Sequence, residues 1–204
     1  MITSDPQARE RRLAEINEIL SRTAPPEDRE LLLGFAPVLF AETPDRVALG
    51  LSAEALVARI RDHFRFVARE IPPPTQLYKG VPGIHVAARN PDPAGWVAKG
   101  PANGLPQEVT VVETHTQDAP FIFESLKNYF RKAGLRVFSS VHPIFTVRRQ
   151  WERIVWIGGP REEGSKEVYC HFQIERIDSK ERLRHVEHSG VDVQSPLRIA
   201  KLVE

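Results

Sequence analysis

One pair of histidines in this 204-residue chain has a spacing that suggests a metal-binding site. His185 and His188 stand three apart, so they could share one face of a helix and bind a metal ion. Zinc would need third and fourth ligands, and no carboxylate or cysteine spacing supplies them. We therefore interpret this pair as surface histidines and predict no metal site.

Catalytic motifs give no better support for an enzyme. His115 and His171 lie on predicted strands without a nucleophile partner, which favours local hydrogen bonding over a role as a base. The sequence has no Gly-x-Gly-x-x-Gly and no phosphate loop, and Gly158-Gly159-Pro160 is typical of a turn. We predict no catalytic residue and no cofactor bound by this chain.

A polar corner between a predicted strand and a predicted helix is the remaining candidate site. The run "THTQDAPFIFESLKNYFRKAGL" leaves an alternating apolar segment and enters an amphipathic helix through Gln117, Asp118, Ala119 and Pro120. The first amides of such a helix carry partial positive charge and can hold a carboxylate. Alternatively, Asp118 caps the helix and Pro120 takes an early helical position, which requires no ligand.

Composition excludes several partners. Lys+Arg 28 against Asp+Glu 27 leaves no net field that would attract nucleic acid or anionic lipid. The strand "EVYCHFQIER" lacks the basic-glycine start of RNA-recognition modules, and two-residue periodicity places Tyr169 and Phe172 on opposite faces. No run approaches the roughly 20 apolar residues of a membrane span. We expect neither nucleic-acid nor membrane binding.

The cellular compartment follows from the cysteine count and the first residues. The single Cys170 excludes an internal disulfide framework and fits a reducing compartment. The first segment, "MITSDPQARERRLAEINEIL", is too charged for a signal peptide. We expect a cytoplasmic protein.

Helix signals dominate the first third of the chain. Asp5 and Pro6 begin a helix over 5–22, which Pro25-Pro26 ends. A second helix is predicted over 27–41, a short third one opens at residues 43–45, and Ser52 caps a fourth. Their narrow apolar faces must pack on each other or on a neighbour.

Strand and helix signals alternate after a Pro/Gly-rich stretch. Strands are predicted over 84–88, 108–116, 135–148 (interrupted at His142-Pro143), 154–157 and 168–176; helices over 120–133 and 180–187. Gly190 and Pro196 are expected to disrupt continuation of the last helix. The order strand, helix, strand, strand, helix is most of a ferredoxin-like βαββαβ unit.

These elements predict an α+β chain in three parts. Residues 1–72 form a helical segment, 73–106 a Pro/Gly-rich linker with one short strand, and 107–204 a ferredoxin-like domain whose last strand is missing or irregular. Pro72–Pro74 favour a stiff spacer. The helices either fold back over their own sheet or reach another copy, and we expect a homo-oligomer.

Several runs resemble a known family. They are "IHVAARNPDPAGW", "VTVVETHTQDAPFIFESLKNYFRKAGLRVFSSVHPIFTVRR" and "VYCHFQIER", with the helical "LSAEALVARIRDHFRFVARE" a weaker match. The most specific pieces are Asn90-Pro91 before Gly95-Trp96, the corner Asp118–Phe121 with Ser125, and His142-Pro143 before Val147-Arg148-Arg149. Together they resemble residues of the N-terminal region of the large bacterial NAD-specific glutamate dehydrogenases, over roughly residues 28–178.

This resemblance implies a non-catalytic, ACT-like regulatory and assembly segment. The parent enzyme would oxidatively deaminate L-glutamate to 2-oxoglutarate with NAD, and the rest of that enzyme would be the partner of this segment. ACT modules often bind amino acids at the first strand-to-helix corner, which here comprises Gln117, Asp118, Ala119, Pro120 and Phe121. Many ligand-binding relatives carry glycine where this chain has Phe121. A stand-alone amino-acid sensor is the alternative, and residues 151–164 match nothing in the family pattern.

Overall fold

The computed structural model describes residues 5–69, 71, 83–91, 108–151 and 153–192. Within these ranges the chain forms two compact units, one of residues 5–69 and 143–166 and one of residues 83–91, 108–142 and 167–192. The predicted boundaries near residues 72 and 106 lie outside the described residues. The predicted spacer Pro72–Pro74 lies outside them as well.

Four helices make up most of the first unit. They are α1 (Pro6–Thr23), α2 (Pro26–Glu42), α3 (Asp45–Ala48) and α4 (Ala53–Val67). Two predicted caps are confirmed: the Asp5 carboxylate accepts from the Gln7 amide at 3.0 Å, and the Ser52 hydroxyl accepts from the Ala55 amide at 3.2 Å. The four predicted helices are thus present where local signals placed them.

A strand pair completes the first unit. β4 (Ile144–Gln150) and β5 (Arg153–Gly158) are antiparallel, with Trp151 in the connection at a φ of 57°. Helix α2 packs closely on β5 at Gly34, where an added Cβ would lie 2.1 Å from the Ile157 carbonyl oxygen. Glycine is therefore required on this face of α2.

The second unit is a sheet with two helices. Its strands are β1 (Ile84–Arg89), β2 (Val109–Gln117), β3 (Val137–Val141) and β6 (Ser165–Glu175, in this unit from Glu167), and its helices are α5 (Ile122–Lys132) and α6 (Lys180–Asp192). The strands lie in the order β1, β2, β6, β3, and each neighbouring pair is antiparallel. The predicted α+β class is confirmed.

Strand β1 takes the place of the last strand of the βαββαβ unit, which was predicted to be missing or irregular. A βαββαβ unit needs a strand beside its first one, and β1 pairs with β2 there, from Ile84 opposite Thr116 to Arg89 opposite Val111. The edge strand of the sheet therefore precedes the unit in sequence instead of closing it. Pairing partners of this kind are set by tertiary contacts and not by local pattern.

One predicted interruption is confirmed, and one predicted helix end is wrong. The strand predicted over 135–148 with an interruption at His142-Pro143 is two strands, β3 and β4, which lie on either side of that dipeptide. Helix α6 does not stop before Gly190 but continues to Asp192. Residues 190–192 are thus helical, and residues 193–204 lie outside the described residues. No helix in the described ranges is long and apolar enough to cross a bilayer.

Apolar side chains of both helices and one face of the sheet form the core of the second unit. Phe172 and Phe130 are fully buried at its centre, with ring centroids 5.1 Å apart. The other core members are Val112, Ile122, Leu126, Leu135, Val168, Cys170, Ile174, Ile177 and Val186. This core fixes α5 against the sheet and so positions the corner that precedes it.

Candidate functional site

The corner predicted from sequence lies on the surface of the second unit. Gln117 is the last residue of β2, and Asp118, Pro120 and Phe121 are exposed while Ala119 is half-buried. All five predicted site residues therefore lie together in one exposed connection. A ligand could reach them from solvent.

Helix α5 begins later than predicted. Its first residue is Ile122 and its N-cap is Phe121, which makes no side-chain capping hydrogen bond. The hypothesis that Asp118 caps this helix with Pro120 in its first turn is therefore wrong. The first amides of α5 carry no side-chain cap at the N-cap position and retain the partial positive charge of a helix start.

Phe121 has the backbone conformation that glycine favours. Its φ is 67° and its ψ is 4°, in the left-handed region, and its side chain is 71% exposed. Glycine is the residue that the family resemblance leads one to expect here, and it would adopt this conformation without strain. The corner thus keeps a glycine-like backbone path although a large side chain occupies it.

The first turn of α5 is anchored by aromatic stacking. Phe123 stacks on His142, with ring centroids 3.9 Å apart and 14° between planes, and on Phe172 at 5.2 Å. The Lys127 ammonium lies 5.1 Å from the Phe123 centroid. Because these contacts hold the helix start against the sheet, the corner is a preformed surface feature.

A second group of candidate residues lies on the sheet face opposite the helices. Strand register places Glu113 opposite His171, and His115 opposite Tyr169. All four side chains are buried, with relative exposures between 0% and 4%. The structure thus shows this face of the sheet buried at all four positions.

Hydrogen bonds satisfy these buried groups. The Tyr169 hydroxyl donates to Glu113 Oε1 at 2.6 Å and lies 3.3 Å from His171 Nδ1. Arg89 donates to Glu113 Oε2 through Nη2 at 3.0 Å and Nε at 3.2 Å. A buried carboxylate requires such partners, so this network is a structural necessity of the sheet face.

His115 follows the same pattern. Its Nε2 lies 2.8 Å from Glu167 Oε2, and both residues are buried. The interpretation of His115 and His171 as hydrogen-bonding residues is thus supported by their contacts. The sequence pattern missed Glu113 and Glu167 because it assigned no partner across strands; the alternation that places each beside a histidine appears only once the register is known.

Cys170 lies on the helix-facing side of the sheet. It is fully buried in the apolar core, and this burial raises the pKa of its thiol to about 12. A thiol held protonated in this way is a poor nucleophile. Cys170 is a core residue and not part of a reactive site.

Comparison with known proteins places the chain in a family. Residues 35–189 match the family described as glutamate dehydrogenase, ACT1 domain. No curated protein and no solved structure matches the chain. The match covers more than half of the chain and includes the corner, α5 and all six strands. The chain therefore belongs to the glutamate dehydrogenase ACT1 domain family, which makes it a non-catalytic regulatory domain associated with glutamate dehydrogenase.

Proposed function

We propose that this chain is the regulatory and assembly segment of an NAD-specific glutamate dehydrogenase. The parent enzyme would oxidatively deaminate L-glutamate to 2-oxoglutarate, with NAD bound by its catalytic part and the rest of that enzyme as the partner of this segment. The observation that carries the proposal is the family match over residues 35–189. A cytoplasmic location belongs to the same proposal.

Enzyme assays test this function. The isolated chain should give no glutamate-dependent reduction of NAD, whereas the parent enzyme should give turnover. Deleting this segment from the parent should leave dehydrogenase chemistry detectable and change its response to effectors or its assembly mass. Turnover by the isolated chain would contradict the proposal, and so would a parent gene that encodes no dehydrogenase region.

Self-association is the part of the proposal that concerns assembly. Light scattering across micromolar concentrations should give a mass above the 23.1 kDa of one chain. A mass that stays at the monomer value throughout that range would remove the homo-oligomer from the proposal.

A second candidate function is amino-acid sensing at the corner Gln117–Phe121. The observation that favours it is the start of α5, where Phe121 provides no side-chain cap and its backbone follows a left-handed path. The first backbone amides of α5 could bind the α-carboxylate of a free amino acid. Asp118 is also exposed and could bind the ammonium group of that ligand.

Calorimetry with a panel of amino acids tests the sensor. Binding should survive Phe121→Ala, because the backbone amides are the proposed ligands, and it should weaken in Asp118→Asn. Lys132→Gln, an exposed cation at the far end of the same helix, serves as the matched control. If no amino acid produces heat with the folded chain, the sensor hypothesis is wrong.

A further inference from the structure

A groove in the second unit lies between the end of α5 and the beginning of α6, away from the corner. Its volume is about 340 Å³, within the range of pockets that hold small molecules. The described residues that line it are Tyr129, Lys132, Ala133, Leu135, Ile177, Arg182, His185 and Val186.

The floor is apolar and fixed in place. Leu135, Ile177 and Val186 are buried members of the core. The Ile177 amide donates to Thr110 Oγ1 at 2.8 Å, and its carbonyl accepts from Asn90 Nδ2 at 2.9 Å. Thr110 in turn donates to Asn90 Oδ1 at 2.6 Å, which closes the ring of hydrogen bonds.

The wall formed by α6 is held at a second point. The Ala88 amide in β1 donates to Glu187 Oε1 at 2.9 Å. The Asn90 ring thus fixes the floor of the groove, and this bond ties its α6 wall to the sheet. A ligand would therefore meet a preformed groove and would not have to order it, which favours binding.

The rim of the groove is basic. Lys132, Arg182 and His185 are exposed at its edge, and no carboxylate is found among the described lining residues. The nearby Asp178 carboxylate accepts from Arg176 at 2.7 Å. Charge complementarity thus calls for an anionic group at the rim and an apolar body on the floor.

We propose that this groove binds a small carboxylate with an apolar tail and no ammonium group. A free amino acid fits less well, because its ammonium would find cations and no carboxylate among the described lining residues. The volume suits a small molecule, and an acidic protein segment would need a larger surface. Binding here does not depend on the proposed function, since it requires only the folded chain.

Three ligands with six carbon atoms each give a sharp test. The intact chain is titrated by calorimetry with hexanoate, with norleucine (which adds an ammonium) and with hexylamine (which replaces the carboxylate). Hexanoate should bind with a dissociation constant of about 1 mM, as its size allows. Norleucine should bind at least about threefold more weakly, and hexylamine should give no saturable heat.

Three variants test whether hexanoate binds in the groove. Arg182→Gln should weaken hexanoate binding by about fivefold, as expected for one exposed charge-assisted contact. Ala133→Leu should abolish it by filling the groove, without lowering the melting temperature, because Ala133 is exposed. Lys127→Gln, a cation on α5 outside the groove, should leave the affinity unchanged.

Amide NMR provides the second readout. Hexanoate should shift the signals of Gly134 and Ile177 and leave those of Phe121 and Ile122 at the corner unchanged. Absence of hexanoate binding by a folded chain would overturn the proposal. Equal binding of hexanoate and hexylamine, or unchanged affinity in both groove variants, would overturn it as well.

Discussion

At the scale of single residues, Phe121 combines two unfavourable features. Its backbone is left-handed and its apolar ring is 71% exposed. Phe121→Gly should raise the free energy of unfolding by about 0.5–1 kcal/mol, because relief of the left-handed conformation exceeds the entropy that glycine adds to the unfolded chain. Denaturant titration measures the difference.

Ala133→Gly, at the other end of α5, is the matched control for that change. Ala133 has a φ of −75°, so glycine relieves no strain there and should lower stability by about 0.5–1 kcal/mol. A destabilising effect of Phe121→Gly, similar to that of the control, would show that the left-handed backbone carries no strain.

Tyr169 is the donor whose loss would most directly affect the buried Glu113 carboxylate. Tyr169→Phe keeps the ring and removes the hydroxyl that lies 2.6 Å from Glu113 Oε1. The free energy of unfolding should fall by about 1–3 kcal/mol, since a buried acceptor is left with fewer partners. Tyr129→Phe, at a half-buried tyrosine on α5, should change it by less than about 0.5 kcal/mol.

The thiol of Cys170 has a pH dependence with a definite sign. Its pKa is raised from 9.0 to about 12, so the folded state holds the proton more tightly than the unfolded state. The stability from this group is fully present below pH 9 and is lost as the pH rises towards 12. Cys170→Ala should flatten this part of the stability profile, and a thiol reagent at pH 8 should label the wild-type chain only after denaturation.

At the scale of elements, the contact between α2 and β5 depends on one missing Cβ. Gly34→Ala would place a methyl group 2.1 Å from the Ile157 carbonyl oxygen, so the helix and the strand would have to separate. We expect a loss of about 3 kcal/mol, at the upper end of overpacking effects. Gly159→Ala meets nothing within 4 Å and should be neutral within about 0.5 kcal/mol. Thermal unfolding of both variants checks the difference.

The elements also show which features local sequence can predict. Asp5 and Ser52 cap their helices as expected, because capping involves residues two or three positions apart. The start of α5 was misplaced since nothing in the sequence pattern signals that a phenylalanine adopts a left-handed conformation. The place of β1 in the sheet and the partners of Glu113 depend on strand register, which is a property of the folded chain.

The two candidate sites also differ in whether the sequence alone can predict them. Gln117–Phe121 could be found from sequence because a strand, a polar turn and a helix follow each other directly. The groove could not, because its walls come from α5 and α6, and its floor depends on Asn90, which lies far from both in sequence. Asn90 was singled out by family resemblance, but only the structure gives it a physical role.

At the scale of the whole molecule, neither unit is a single stretch of chain. The strand pair β4 and β5 lies between β3 and β6 in sequence but belongs to the unit of α1 to α4. The three-part division at residues 72 and 106 remains a prediction, and it places β4 and β5 in one domain with β3 and β6. Because each unit consists of separate stretches of the chain, cleavage at a single position cannot separate the two units.

The early position of β1 has a consequence for any dissection of this protein. A truncated chain beginning at residue 107 would retain β2 but lose the strand that covers its outer edge. The edge of β2 that pairs with β1, over residues 111–116, would then present open backbone groups, and Glu113 would lose Arg89. Exposed edges of this kind recruit other strands, so this fragment should aggregate on expression. A chain beginning at residue 83 keeps that strand and should yield more soluble protein; equal solubility of the two fragments would show that β1 is dispensable.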